Sequence, residues 1–224
     1  GWEIAYIFNP MAGVSGDLFD FFYEGDNLKG CCLFDVSGHG IASGLVTMLS
    51  KTIIAREFEQ GANLPLSKVM LNINDAIGHD KGDIENYLTG ILLRINDNKI
   101  EYVNGAHPAM LCRSGSTGRV SKAALNEEGG DGSLIGIREL PASFTGINFS
   151  MRSGDSIMIY TDCLYESRNA NGEEFGADRV AQIFSQAGNG NAQSQLSRVV
   201  HLFRQWTGDV PLNDDLTVIV IKKL

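Results

Sequence analysis

Leu33-Phe34-Asp35-Val36-Ser37-Gly38-His39-Gly40 is an apolar run that stops at a carboxylate and turns through two glycines into a helix. Cys31 to Phe34 suit a buried strand, Gly38 and Gly40 allow backbone conformations that other residues resist, and Ile41 to Glu59 reads as helix. Asp35 therefore sits at a strand end, held by the sheet and displayed beside a turn. Taken alone, such an aspartate is more often a turn or cap residue than a ligand. Three further acidic sites repeat the setting: Asp17 in Gly16-Asp17-Leu18-Phe19-Asp20, Asp162 after Ile157-Met158-Ile159-Tyr160-Thr161, and Asp214-Asp215 before an apolar run.

Working outward, Trp2 to Phe8 reads as a strand ending at Asn9-Pro10. Asp17 to Tyr23 and Leu28 to Asp35 form a hairpin through Gly25-Asp26-Asn27. In the helix from Ile41 to Phe58, Leu45, Leu49, Thr52 and Ile53 fall at helical spacing, and Met48, Leu49 and Ile53 are expected in the core rather than as a cofactor box. Gly61 and Asn63 close it, and Leu64-Pro65 opens a second helix with Leu66, Val69, Met70, Ile73 and Ile77 along one face. Tyr87 to Ile95, Lys99 to Asn104 and Ala109 to Arg113 read as short antiparallel strands. Residues 114–136 are rich in Gly and Ser and are expected to be the least structured part, a candidate flap. Phe144 to Met151 and Asp155 to Tyr160 resume strand character, Ala177 to Gln186 and Gln193 to Trp206 are helical, and Leu216 to Ile221 closes as an apolar strand. Strand hairpins with helix pairs inserted between them predict a mixed α/β layer protein, mostly antiparallel.

The 224 residues, 43% hydrophobic and 20% charged, suit one soluble domain with a sizeable core. A net charge of −9 opposes a phosphate-backbone binder, so no nucleic acid is expected. No apolar run approaches the roughly 20 residues of a membrane span and no basic-then-apolar signal opens the chain, so direct membrane contact is not expected and a cytoplasmic location is. Cys31, Cys32, Cys112 and Cys163 show neither zinc-type pairing nor a disulfide framework. Gly1 in place of Met, with a strand following at once, suggests a domain cut from a longer protein.

Carboxylates that converge from strand ends repel one another unless cations neutralise them. An all-oxygen set without paired His or Cys selects Mg²⁺ or Mn²⁺ over zinc or copper. Two such ions activate water at neutral pH and bind phosphoryl oxygens. Surface turn carboxylates are the competing reading. Ser37 with His39 is not a nucleophile–base pair, since residues two apart around a glycine turn rarely meet that way and no Gly-x-Ser-x-Gly elbow exists.

Ser15-Gly16-Asp17-Leu18-Phe19-Asp20, Asp35-Val36-Ser37-Gly38-His39-Gly40, Asn104-Gly105-Ala106-His107-Pro108, Tyr160-Thr161-Asp162 with Glu166, Glu174-Phe175-Gly176 and Asp214-Asp215-Leu216-Thr217 occur in an order and spacing that resembles the bacterial SpoIIE/RsbU-type branch of the metal-dependent serine/threonine protein phosphatases, the PPM or type 2C class. The resemblance covers nearly the whole chain. It implies two stacked, mostly antiparallel β-sheets flanked by helix pairs, an αββα sandwich forming one catalytic domain over residues 1–224, with an N-terminal sensor or receiver region in the longer chain. It implies Asp17 and Asp35 as core ligands of a two-ion Mn²⁺ or Mg²⁺ site, Asp35 bridging, the Val36 carbonyl as a further ligand, and Asp162 with Asp214 completing the second ion's shell, Asp215 being the substitute.

By the same resemblance the activity is hydrolysis of phosphoserine or phosphothreonine in a protein, such as an anti-sigma-factor antagonist of the STAS type in a partner-switching circuit, and a homodimer is compatible with it. The alternative is a catalytically weak phosphatase-like binding module. The family has Gly-Gly-Asp where this chain has Ser15-Gly16-Asp17, and Thr-Asp-Gly where it has Thr161-Asp162-Cys163, so a Cβ at 163 is expected to crowd a glycine turn. His39 is read either as general acid for the leaving oxygen or as a turn residue bonded to a carbonyl. His107 is expected to order a turn, Asp20 either to act through a water or to cap the hairpin, and Cys163 either to pack or to sense oxidation.

Overall fold

A computed structural model of the chain describes residues 1–11, 13–38, 40–123 and 132–224. Among the described residues the strands are β1 (Trp2–Asn9), β2 (Asp17–Glu24), β3 (Asn27–Val36), β4 (Leu88–Asn96), β5 (Lys99–Gly105), β6 (Leu111–Arg113), β7 (Val120–Lys122), β8 (Gly146–Ser150), β9 (Ser156–Tyr160) and β10 (Leu216–Lys223). The helices are α1 (Ile41–Gln60), α2 (Leu66–Asp80), α3 (Cys163–Glu166), α4 (Ala177–Ser185) and α5 (Ala192–Thr207). Contacts divide the chain into one unit of Gly1–Met11, Pro108–Ala123 and Met151–Leu224, and another of Ala12–His107 and Ala124–Ser150. Each unit carries a five-stranded sheet whose neighbours all pair antiparallel.

In the second unit the order is β2-β3-β4-β5-β8, so β3 and β4 lie inside the sheet. Cys32, Phe34 and Val36 face the helices, alternating with Cys31 and Leu33 on the opposite face, and all are buried. Leu66, Val69, Met70, Ile73 and Ile77 of α2 pack on the helix side, as their spacing predicts. The Glu101 carboxylate accepts a bond from the Leu66 amide (2.6 Å), which satisfies one orphan donor at the start of α2. Arg94 donates to the Leu64 and Gly61 carbonyls (2.6 and 2.9 Å) and pairs with Glu101 (3.1 Å), pinning the α1–α2 connection.

The buried face of α1 bears out Ile53 in the core with Leu49 partly buried against it, and corrects the expectation for Met48. Ser43, Gly44, Val46, Ser50, Ile53, Ile54 and Phe58 point inward, while Leu45 is 58% and Met48 70% exposed. Close approach is the reason: a Cβ on Gly44 would lie 1.9 Å from Val14 Cγ1, so Val14 packs against the bare helix backbone there. Small residues seat the first turns of the helix, while Val46, Ile53, Ile54 and Phe58 bury its apolar stripe in the core.

In the first unit the order is β1-β10-β9-β6-β7, with β10 next to β1 and β9. Leu216, Val218 and Val220 pack with Val180 and Phe184 of α4 and Leu196, Val199 and Phe203 of α5. Phe175 meets Phe203 and Trp206 edge-on at 5.3 and 5.0 Å. The Asn191 side chain caps α5 by accepting from the Ser194 amide (2.8 Å).

The expected flap is ordered where it is described. Residues 114–119 close a β6–β7 hairpin, with the Ser114 amide donating to the Arg119 carbonyl (3.0 Å), and Ile135 bridges Leu88 in both directions (2.8 and 2.9 Å). The remainder of that segment, 124–131, lies outside the described residues. No helix among the described residues is long and apolar enough to cross a membrane.

Candidate metal centre

The β2–β3 register sets Asp17 directly opposite Asp35, and the β3–β4 register sets Asp35 opposite Thr89. One end of this sheet thus carries a polar row built from three strands. Asp17 is only 4% exposed, an unusual burial for a carboxylate whose cross-strand neighbour is another. Its approach is fixed locally: the Ser15 hydroxyl accepts from the Asp17 amide (3.0 Å), and the Gly16 carbonyl accepts from the Val36 amide (3.1 Å). Gly16 is required here, because a Cβ would lie 2.9 Å from Ser43 Oγ and 3.0 Å from the Val36 carbonyl oxygen.

Beyond Asp35 the chain is locked rather than nucleophilic. The Ser37 amide donates to the Tyr87 carbonyl (2.8 Å), the Ser37 hydroxyl accepts from the Tyr87 amide (3.0 Å), and the Asn86 amide group donates to the Ser37 carbonyl. Gly40, with φ 87°, occupies the left-handed region just before α1. His39, the expected general acid, lies outside the described residues. His107 orders its turn: its amide donates to Asn104 Oδ1 (2.8 Å), and its Nδ1 lies 2.8 Å from the Thr89 hydroxyl. Asp20 accepts from the Phe21 amide and pairs with Lys51 at 3.6 Å.

In the other unit, Asp162 ends the run from β9 and opens α3. The Thr161 amide donates to the Thr217 carbonyl (3.1 Å), and the Thr217 amide donates back to the Thr161 hydroxyl (3.0 Å), which ties the Asp162 and Asp214-Asp215 turns together. Burial, then the charges of Glu166 and Asp214, push the Asp162 carboxyl up to about 6. Asp215 is 8% exposed and accepts from the Met11 amide (2.6 Å), whereas Asp214 is exposed. Glu166, one helical turn beyond Asp162, belongs to this group although its motif alone gave it no role.

Cys163 does not crowd a glycine turn. It starts α3 in helical conformation, is buried, and donates from Sγ to the Asp214 carbonyl (3.3 Å). Burial pushes its thiol up to about 12. It packs, and the thiolate needed for oxidation is not available. Cys31, Cys32 and Cys163 are all buried and unpaired. Titration of the folded chain with Ellman's reagent at pH 8 therefore gives at most one fast thiol, the partly exposed Cys112, and all four cysteines after unfolding. Fast reaction of two or more would contradict this packing.

The donors expected from the sequence are carboxylates and a carbonyl, a set suited to hard divalent cations. Among the described residues no three His, Cys, Asp or Glu side chains meet closely enough to enclose an ion unaided. What is built in each unit is a carboxylate group under repulsion, which a cation would relieve.

The raised Asp162 pKa gives a stability prediction for the metal-free chain. Unfolded, the carboxyl ionises near 3.8; folded, near 6. The cost of holding it ionised is complete above pH 6 and disappears as pH falls toward 4. Unscreened, the shift is worth about 3 kcal/mol, and with partial exposure on the order of 1–2 kcal/mol. Urea unfolding of Asp162→Asn without metal should show that gain over wild type at pH 7 and none near pH 4; a loss at pH 7 would contradict it.

Comparison with known proteins shows the family and the fold. The family model of Stage II sporulation protein E (SpoIIE) matches residues 30–224. Phosphoserine phosphatase RsbP of Bacillus subtilis is 31% identical over 119 residues, 51% of this chain and 29% of that protein, so the chain spans under a third of that relative's length. Among solved structures, the SiaA-PP2C domain of Pseudomonas aeruginosa superposes with a TM-score of 0.83 at 16% identity, covering 98% of this chain and 85% of that one. The catalytic domain of the serine/threonine phosphatase PstP, crystallised with two manganese ions, gives 0.68 at 14% identity, covering 99% and 97%.

Proposed function

This chain belongs to the SpoIIE family, and from that membership we propose that it is a metal-dependent phosphatase acting on phosphoserine or phosphothreonine in a protein. The observation that carries the proposal is the buried Asp17 set directly across from Asp35 at a strand end. Two like charges in that position are unfavourable without a counter-ion, and a fold does not place them there for its own stability.

Asp17, Asp35 and the Val36 carbonyl would hold one Mn²⁺ or Mg²⁺ ion, and Asp162 with Asp214 the other. Asp214 is preferred to Asp215, whose carboxylate is engaged by the Met11 amide. Bound divalent cations make water nucleophilic at neutral pH and offset the charge that grows on the phosphoryl oxygens. The turn 35–38 keeps Asp35 in place through the Tyr87 and Asn86 bonds, with the Ser37 hydroxyl accepting from the Tyr87 amide; since water is the nucleophile, no covalent enzyme intermediate is needed. His39 is assigned the proton for the leaving serine or threonine oxygen.

RsbP is a phosphoserine phosphatase by name, which supports phosphoserine as the group cleaved; the phosphoprotein we infer is one such as an anti-sigma-factor antagonist of the STAS type in a partner-switching circuit. A sensor or receiver region would govern the activity, and four free cysteines suit a reducing cytoplasm. Hydrolysis of p-nitrophenyl phosphate is the test: the rate should rise with added Mn²⁺ and vanish with EDTA. No metal-dependent rate would favour a phosphatase-like binding module instead.

A further inference from the structure

We propose that Thr47, on α1, is a positioning residue for the Asp17–Asp35 pair, acting through the Ser15–Gly16 turn. The Thr47 hydroxyl lies 3.1 Å from the Ser15 carbonyl, 3.2 Å from the Gly16 carbonyl and 3.0 Å from the Ser43 carbonyl. The last contact is the ordinary bond of a helical threonine to the carbonyl four residues back. The first two are not: they reach 32 and 31 residues along the chain, onto the turn that delivers Asp17. One hydroxyl proton is shared among three acceptors, so the turn and the helix compete for it at close to equal distance.

The Gly16 carbonyl is the junction. It accepts from the Val36 amide at the end of β3 and lies within bonding distance of Thr47 on α1, so a single peptide group is held by the strand that carries Asp35 and by the helix that follows it. Asp17 is the next residue. Ser43, one turn before Thr47, presents its buried hydroxyl to the same glycine, which has no room for a Cβ, and that hydroxyl has no bond within the protein among the described residues. The first turns of α1 are thus seated on the Ser15–Gly16 backbone itself.

Two opposed carboxylates push apart when no cation lies between their oxygens, and the bonds that resist this must come from elsewhere. Thr47 supplies one on the β2 side, as the Tyr87 and Asn86 bonds do on the β3 side. Without it the Ser15–Gly16 turn loses its tie to α1 and the carboxylates lose part of their fixed spacing. This role rests on the reading of Asp17 and Asp35 as cation ligands.

The test uses the whole chain and follows Mn²⁺ binding by the electron paramagnetic resonance signal of the free ion, in wild type, Thr47→Val, Thr47→Ala and Thr47→Ser. Val keeps the shape and removes the hydroxyl; Ser keeps the hydroxyl. Val and Ala should each weaken Mn²⁺ binding about tenfold, as losses of groups that orient ligands do, with Ser within about twofold of wild type. A purely structural threonine would lower the unfolding midpoint and leave Mn²⁺ affinity unchanged. Folded Val or Ala variants that bind as wild type does would overturn the inference while leaving the proposed function standing, as would a Ser variant as weak as Val. A wild type that binds no Mn²⁺ would overturn both.

Discussion

Asp35→Asn should reduce metal-dependent hydrolysis of p-nitrophenyl phosphate by roughly a thousandfold in kcat/KM, a loss of about 4 kcal/mol of barrier lowering. The same substitution should leave the metal-free chain as stable as wild type, or more stable by about 0.5–1 kcal/mol, because it removes a like charge directly opposite Asp17. Opposite signs in the two measurements are the signature. A residue that merely capped a turn would lose stability along with activity. Asp26→Asn, in the hairpin turn at the other end of β2 and β3, is the control and should change neither. Urea unfolding with EDTA and steady-state rates with saturating Mn²⁺ give the two numbers; a destabilised Asp35→Asn that still turns over would remove the basis for the centre.

The second large effect concerns the sheet that holds Asp35. Phe34 is fully buried and pairs across strands with Gly90. Its ring occupies the place of the missing side chain: a Cβ on Gly90 would lie 2.2 Å from Phe34 Cδ1. Phe34→Ala should cost about 3–5 kcal/mol by emptying that volume. Gly90→Ala should cost on the order of 2 kcal/mol in wild type, since the ring has to shift. In the Phe34→Ala background the same methyl enters the space the ring vacated, and its cost should fall to near zero or reverse. Chemical denaturation of the four proteins yields the coupling directly. Additive effects would show that the ring does not lie over the glycine.

These residues also show what the sequence made legible. The β2–β3 hairpin, α2 and β10 follow from local pattern, because each buries residues at its own period and is bounded by turn residues. On α1, Ile53 was legible as core, but the first turns were hidden because Ser43, Gly44 and Ser50, not Leu45 and Met48, meet the rest of the unit. Burial there is decided by how closely the helix approaches Val14 and Gly16. The three residues of β7 and the four of α3 are too short for a periodic signal.

For the site, strand-end carboxylates were readable one by one, but their pairing was not. Register alone puts Asp17 across from Asp35 and Thr89 beside it, and register depends on the whole sheet. Thr89 and Thr47 bear no local mark, since their partners lie far along the chain. Cys163 was misread for a local reason: a glycine in relatives suggested a strained turn, whereas here the chain enters α3 in helical conformation and needs none. Asp214 and Asp215 differ by one position in sequence, yet only Asp215 is buried and engaged by the Met11 amide.

Anomalous diffraction at the manganese edge from crystals grown with Mn²⁺ tests the account most directly. It predicts one peak within coordination distance of the Asp17 and Asp35 carboxylates and one against Asp162 and Asp214, with the first lost in Asp35→Asn. Crystals of active protein with no anomalous peak at either pair would contradict it.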